Sequence, residues 1–282
     1  MQSLRKFLQE TQKNKKVIWH FNAGSYEHAQ AIISIAEELH QPIILGLSEG
    51  ERTYLDMELV CHSARIMREK GVPLFINADH THSLEKIQDA VCAGCDEVLF
   101  DAGKELLEEN IRRTQEVVAW VRAYNQEHGT DVLVEGETGY IGSGSIIHSE
   151  MPTDISSLTE PGDAVRFVTE TGVDLIAPAV GNIHGIVKEQ PRLDIPRIKA
   201  IAQSVSVPLV LHGGSGIVST DISDAILQGI TIVHISTELR VAWKRALVQS
   251  LQAHGDEIVP YTILRDVVSA IRTTLLQKIK SI

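Results

Sequence analysis

The sequence predicts an α/β fold, a single (β/α)8 TIM barrel over residues 1–282, on three observations. First, eight short apolar runs recur: Val17 to Ala23, Pro42 to Ser48, Pro73 to His80, Glu97 to Gly103, Asp131 to Glu137, Leu175 to Gly181, Pro208 to Gly214 and Ile230 to Ser236. Near-continuous hydrophobicity is what strands covered on both faces require, so the sheet is expected to be parallel. Second, the stretches between runs leave room for crossover helices. Third, the polar motifs fall at the C-terminal ends of the runs, where barrels of this kind build their sites.

Two of the intervening stretches show the helical pattern directly. Glu27 to His40 and Glu108 to His128 place apolar residues at helical spacing with charges opposite. The runner-up architecture, an open doubly wound sheet, lacks a Gly-rich dinucleotide fingerprint after any early strand. Tyr140 to Thr159, after the fifth run, is the longest non-periodic segment and is expected to be an active-site lid with glycine hinges. Asp256 to Ile282 has helical apolar spacing, including Val267-Val268, Ile271 and Leu275-Leu276, suited to packing on the barrel or on a partner.

Composition narrows the function classes. A chain of 282 residues with 43% hydrophobic content can build one large core, and its net charge of −11 argues against nucleic acid or an anionic membrane surface as partner. Any anionic ligand must therefore be held locally. The opening residues lack the apolar stretch of a signal peptide, and no stretch approaches the roughly 20 apolar residues of a membrane span, so a cytoplasmic location is expected. Cys61, Cys92 and Cys95 are too few and odd in number for a disulfide framework. Cys92-Ala93-Gly94-Cys95 has C-x-x-C spacing but falls where a helix end runs into a strand, which favours buried or half-buried thiols over a redox or metal pair.

The chemistry concentrates in three histidines: His80 in Asn77-Ala78-Asp79-His80, His184 in Gly181-Asn182-Ile183-His184-Gly185, and His212 in Leu211-His212-Gly213-Gly214-Ser215-Gly216. Each follows an apolar run, so the three converge on one end of the barrel. Imidazole nitrogens suit Zn²⁺, and a catalytic zinc keeps three protein ligands with one position open; ligand type alone leaves another divalent ion possible. Gly213-Gly214-Ser215-Gly216 and Ser236-Thr237 occupy the seventh and eighth loops, where barrels bind phosphate through backbone N–H groups and a helix N-terminus. Lys188, four residues after His184, is a candidate point charge beside that phosphate. Glu135 and Glu137 alternate on one strand and so face the same side; a carboxylate there either orients a ligand or moves a proton.

These motifs, together with Val134-Glu135-Gly136-Glu137-Thr138-Gly139 and Ser236-Thr237-Glu238-Leu239, resemble the class II, metal-dependent ketose-bisphosphate aldolases, of which fructose- and tagatose-bisphosphate aldolases are the best known. The similarity runs from about Phe21-Asn22 to about Ala246, with the motifs in family order. It implies Zn²⁺ or another divalent ion on His80, His184 and His212, and reversible cleavage of a phosphorylated ketose to dihydroxyacetone phosphate and an aldehyde through a metal-stabilised enediolate. Asp79 would exchange the proton of the C4 hydroxyl, and Glu137 joins it as a candidate catalytic carboxylate. By this resemblance Gly185, Gly213, Ser215, Ser236 and Thr237 would hold the phosphate, with a monovalent cation, Na⁺ or K⁺, nearby, and Gly214 of the same glycine run is a further candidate there. Relatives are dimers or larger, so a homodimer or homotetramer is expected.

Three departures from the family pattern fall on the substrate side. His234 stands where relatives carry Asn, whose amide bonds the enediolate, so His234 is expected to contact substrate. The lid reads Ile141-Gly142-Ser143-Gly144-Ser145-Ile146-Ile147-His148 without the usual acidic residues, leaving His148 or Glu150 as replacements. Asp101-Ala102-Gly103-Lys104 loses a serine and gains a charge. The alternatives to an aldolase are a metal-dependent isomerase or epimerase using the same enediolate, and a catalytically silent barrel that binds sugar phosphates or regulates another protein.

Overall fold

Eight parallel strands close into a barrel, each pairing with the next and the last with the first. The computed structural model describes residues 2–142, 144–151 and 158–282. In chain order the elements are α1 (Leu4–Lys13), β1 (Ile18–Asn22), α2 (Tyr26–Leu39), β2 (Ile43–Leu47), α3 (Glu49–Tyr54), α4 (Met57–Glu69), β3 (Leu74–Thr81), α5 (Leu84–Ala93), β4 (Glu97–Phe100), α6 (Leu107–His128), β5 (Leu133–Thr138), α7 (Pro161–Thr171), β6 (Leu175–Pro178), α8 (Ile195–Ser204), β7 (Leu209–Leu211), α9 (Ser219–Gln228), β8 (Ile230–Ile235), α10 (Thr237–Ala253) and α11 (Pro260–Lys280). Each strand falls inside one of the eight apolar runs, apart from single-residue extensions at Thr81 and Thr138.

The strand alternation sorts two environments. One set of side chains, among them Trp19, Phe21, Ile43, Leu45, Leu74 and Ile76, packs outward into a core shared with the helices. The other set points inward, and it changes character along the barrel axis. At the N-terminal end Ile18, Ile44, Phe75, Leu133, Val210 and Ile232 form a separate apolar cluster. Two residues further along the same faces stand His20, Asn77, Glu135, His212 and His234, all buried. The barrel is thus apolar below and polar above, which prepares its C-terminal mouth for chemistry.

The lower end is closed by α1, a helix the apolar runs do not announce. Leu4 and Leu8 join the inner cluster and Phe7 packs against it, its ring 5.7 Å from that of Phe75. Burying side chains of this size stabilises by roughly 1.5–3 kcal/mol each. Arg5 pins the helix to the barrel floor by hydrogen bonds to Asp131 and Asp174 at 2.8 and 2.7 Å.

At the other end of the chain α11 packs against α10 and α2, with Val267, Ile271 and Leu275 fully buried. The chain's own helices therefore cover that apolar face. The helix starts at Pro260 rather than Asp256, because proline's fixed φ and missing N–H suit the first turn. Cys92 is exposed whereas Cys61 and Cys95 are buried, and burial pushes the Cys61 thiol up to about 12. Among the described residues no cysteine joins a cluster of metal-ligating atoms. No helix among them is long and apolar enough to cross a membrane.

Candidate active site

His80 reaches the site by a break in strand geometry. Asp79 already faces inward on β3, so strict alternation would turn His80 outward. The β3–β4 register shifts between Ala78 and Thr81, and His80 adopts φ +37°. A non-glycine residue in that region costs on the order of 1 kcal/mol, and such strain concentrates where a side chain must be re-aimed.

The three predicted ligands meet: one nitrogen from each of His80, His184 and His212 lies within 4.8 Å of the other two. A second nitrogen on each ring is spoken for. His80 Nδ1 donates to Asp101 Oδ2 at 2.8 Å, His184 Nδ1 to the Gly142 carbonyl at 2.8 Å, and His212 Nε2 to Glu135 Oε1 at 2.7 Å. That leaves His80 Nε2, His184 Nε2 and His212 Nδ1 as the nitrogens that can face a metal, His80 once it has given up its proton. Metal-binding imidazoles are typically oriented by such outer acceptors, and the donor set fits a divalent ion.

Electrostatics agrees. Burial, reinforced by the charge of His80, lowers His184 to about 4, and burial likewise depresses His212. Both rings are therefore neutral donors near pH 7. His80 is the exception: burial opposes its charge, but Asp79, Asp101 and Glu137 outweigh it and raise the imidazole to about 10. In return, against the effect of burial, the hydrogen bond and charge of His80 lower Asp101 to about 2.

Asp79 sits beside this trio, 4% exposed, with Oδ1 3.8 Å from His80 Nε2. Asn22 Nδ2 donates to its Oδ2 at 2.8 Å, and His234 Nδ1 lies 3.6 Å from Oδ1. Burial works against its charge, yet the neighbouring His80 and His234 hold it well below the ordinary carboxylate range. It is therefore ionised near neutral pH.

The three imidazoles, Asp79, Asn22, Asp101 and His234 face a cavity of about 730 Å³ at the C-terminal mouth. Of the residues expected on its wall, Asp79, His80, His184, Gly185, His212, Gly213, Ser215, His234, Ser236 and Thr237 are there. Gly213 has φ +61°, and a Cβ on it would lie 2.1 Å from the Ile183 carbonyl oxygen, so only glycine lets the loops after β6 and β7 approach this closely. Ser215 Oγ receives the backbone N–H of Ser236 at 3.2 Å, joining the loops after β7 and β8.

Three expected residues stand elsewhere. Glu137 is 2% exposed and off the cavity wall, its Oε2 3.9 Å from His80 Nδ1. Gly214 is not on the wall, because its N–H is already donated to the His234 carbonyl at 3.0 Å. Lys188 is exposed and outside the cavity.

In the expected lid, His148 Nε2 bonds the His184 carbonyl at 3.0 Å and Glu150 is exposed; neither lines the cavity. The loop after β5 instead runs along the loop after β6 through an Ile147–Ile186 bridge. Ser143 and residues 152–157 of the segment lie outside the described residues. Lys104 does line the wall, its Nζ 4.4 Å above the Tyr140 ring.

Four further residues were not legible as site residues. Asn22 ends the first apolar run, a strand-end position like that of Asp79. Glu51 closes a Ser48-x-x-Glu51 capping box, a recognisable pattern whose second use only the structure reveals. Arg240 follows Ser236-Thr237 by one helical turn. His20 is hidden by alternation within an apolar run.

Comparison with known proteins agrees with this geometry. The family model for fructose-bisphosphate aldolase class II matches residues 2–282. A fructose-bisphosphate aldolase of Geobacillus stearothermophilus is 32% identical over 282 residues, covering 99% of this chain and 95% of the relative. The crystal structure of the YdjI aldolase from Escherichia coli K12 superposes with a TM-score of 0.79 at 31% identity, covering 99% of this chain and 96% of the other. That of a putative fructose-1,6-bisphosphate aldolase from Coccidioides immitis gives 0.82 at 26% identity, covering 99% and 96%. The chain belongs to the class II fructose-bisphosphate aldolase family, and it is an aldolase of that metal-dependent class.

Proposed function

We propose that the chain is a zinc-dependent aldolase that reversibly cleaves a phosphorylated ketose, fructose or tagatose bisphosphate or a related sugar phosphate, to dihydroxyacetone phosphate and an aldehyde. The convergence of three imidazoles, each with its second nitrogen bonded to an outer acceptor, beside an ionised Asp79 is the observation that supports it. A divalent ion held by His80, His184 and His212 would supply positive charge for the oxygen that becomes negative as the C3–C4 bond breaks.

The remaining work falls to the chain's own groups. Asp79 takes the proton of the C4 hydroxyl on cleavage and returns it to the aldehyde oxygen on condensation. Asn22 holds the Asp79 carboxylate through Oδ2 and leaves the rest of it for the substrate. Gly185, Gly213, Ser215, Ser236 and Thr237 line the wall where the loops after β6, β7 and β8 meet, and backbone N–H groups and hydroxyls there suit a phosphate, with Na⁺ or K⁺ beside it. The subunits assemble as a homodimer or homotetramer in the cytoplasm.

The test is cleavage of a panel of ketose mono- and bisphosphates by the zinc-loaded protein, detected as dihydroxyacetone phosphate, with His212→Ala and a chelator as controls. Release abolished by both supports the reading and names the substrate class. A folded, zinc-loaded protein that cleaves nothing in the panel overturns it.

A further inference from the structure

Glu51 is 6% exposed at the wall of the active-site cavity, in the first turn of α3, and its carboxylate accepts four hydrogen bonds. Ser48 donates from its backbone N at 2.8 Å and its Oγ at 2.9 Å, Asn22 from Nδ2 at 3.0 Å, and Arg240 from Nη2 at 2.7 Å. Three of the four converge on Oε2 and the Arg240 bond alone takes Oε1. The two Ser48 bonds belong to the helix cap. The other two serve neither the helix nor the core.

Asn22 Nδ2 has two hydrogens, and they go to two carboxylates: Glu51 Oε2 at 3.0 Å and Asp79 Oδ2 at 2.8 Å. Without Glu51 the Asn22 amide keeps only its bond to Asp79, and its plane can rotate about that single contact. With Glu51 in place only the amino side satisfies both neighbours. The buried carboxylate therefore fixes the plane in which the amide meets the catalytic aspartate.

The Arg240 arm reaches the mouth of the site. Arg240 stands in the first turn of α10, just after Ser236-Thr237, and lines the same cavity. While Nη2 is bound to Glu51, Nη1 donates to the Ser145 carbonyl at 3.4 Å, in the segment after β5. One carboxylate thus anchors both the partner of Asp79 and a bridge across the cavity's rim.

We propose that Glu51 is a positioning residue for the aldolase reaction, fixing the Asn22 amide against Asp79 and tying Arg240 to the rim at Ser145. The proposal rests on the aldolase reading above. Glu51→Ala is expected to lower kcat on the order of 10- to 100-fold, since a small misplacement of a reacting group has effects of that size. Zinc content stays at the wild-type level. Glu51→Asp, which keeps the charge, recovers part of the loss. The Asn22→Ala/Glu51→Ala double variant loses little more than Asn22→Ala, because both act on the same aspartate.

Hydrogen exchange of residues 144–148 supplies a readout that needs no substrate: exchange rises in Glu51→Ala and stays at wild-type rates in Asn22→Ala. Wild-type kcat in a folded Glu51→Ala, or losses that multiply in the double variant, would overturn the proposal and reduce Glu51 to a helix cap. If the wild-type protein itself cleaves nothing, the aldolase reading fails with it, while unchanged exchange at 144–148 in Glu51→Ala separately excludes the rim contact.

Discussion

His20 and His234 stack face to face, ring centroids 3.4 Å apart and planes within 3°, as register partners across the β1–β8 seam. Burial depresses both imidazoles, so both are neutral, and neutral rings tolerate a separation that two cations would not. His234 is itself 3.9 Å from the ring of His212 and 3.6 Å from Asp79. A row of imidazoles therefore runs from His20 through His234 to His212, with Asp79 alongside.

The end of that row rests on Gly46. A Cβ there would lie 2.0 Å from His20 Cε1, so β2 leaves this place empty for an imidazole. Gly46→Ala is expected to drive His20 into His234, destabilising by about 1–3 kcal/mol as overpacking does, and to cut turnover as Asp79 and His212 shift. His20→Ala combined with Gly46→Ala relieves the clash and melts above the single variant. Thermal melting and kcat on the same preparations check this; a Gly46→Ala protein that melts and turns over like wild type refutes the packing argument.

The same alternation explains what was readable in the sequence and what was not. Strands buried on both faces advertise themselves as apolar runs, and histidines at three strand ends could only converge once the runs closed into a barrel. Glu137 lies one alternation beyond Glu135 and shares its side, yet it stands off the cavity wall beside His80 Nδ1, because the bulge at His80 brings that imidazole to the front. Lys188 and Gly214 depend on loop paths and on a single backbone bond to His234, which spacing does not encode. The plug helix α1 has only Leu4, Phe7 and Leu8 as its apolar stripe, too short a pattern to separate from a polar leader without the lumen it fills.

Asp101 sets the orientation of His80, so removing it should weaken metal binding without touching a ligand. Asp101→Ala deletes the acceptor of the 2.8 Å bond and is expected to lower zinc affinity about 10- to 100-fold, with Asp101→Asn falling in between because its amide oxygen still accepts. Competition against a chromophoric chelator measures this directly. Equal affinity in all three proteins contradicts the orienting role.

Metal binding should also release a proton. Before an ion arrives His80, raised to about 10 by its three carboxylate neighbours, is protonated near pH 8, whereas His184, lowered to about 4, is not. Zinc can bind His80 only as the neutral ring, so uptake at pH 8 displaces about one proton from this trio. Calorimetric titration in buffers of different ionisation enthalpy counts it. A count near zero means His80 is already neutral and its carboxylate neighbours exert less than this geometry implies.

Glu97 gives the fold a pH dependence separate from catalysis. It stands fully buried on β4, paired in register with Asn77, and burial raises its carboxyl from 4.5 to about 7. Between those values the folded chain keeps a proton that the unfolded chain has released, so stability falls as pH rises from about 4.5 and levels off above about 7. Glu135 and Glu137, also raised by burial, push in the same direction. Glu97→Gln removes only its own share: the variant should resemble wild type near pH 5 and unfold at higher denaturant concentration than wild type near pH 8. Parallel denaturation curves at the two pH values decide the matter, and a wild-type midpoint that rises from pH 5 to pH 8 with no gain from Glu97→Gln would show that the carboxyl is ionised in the fold.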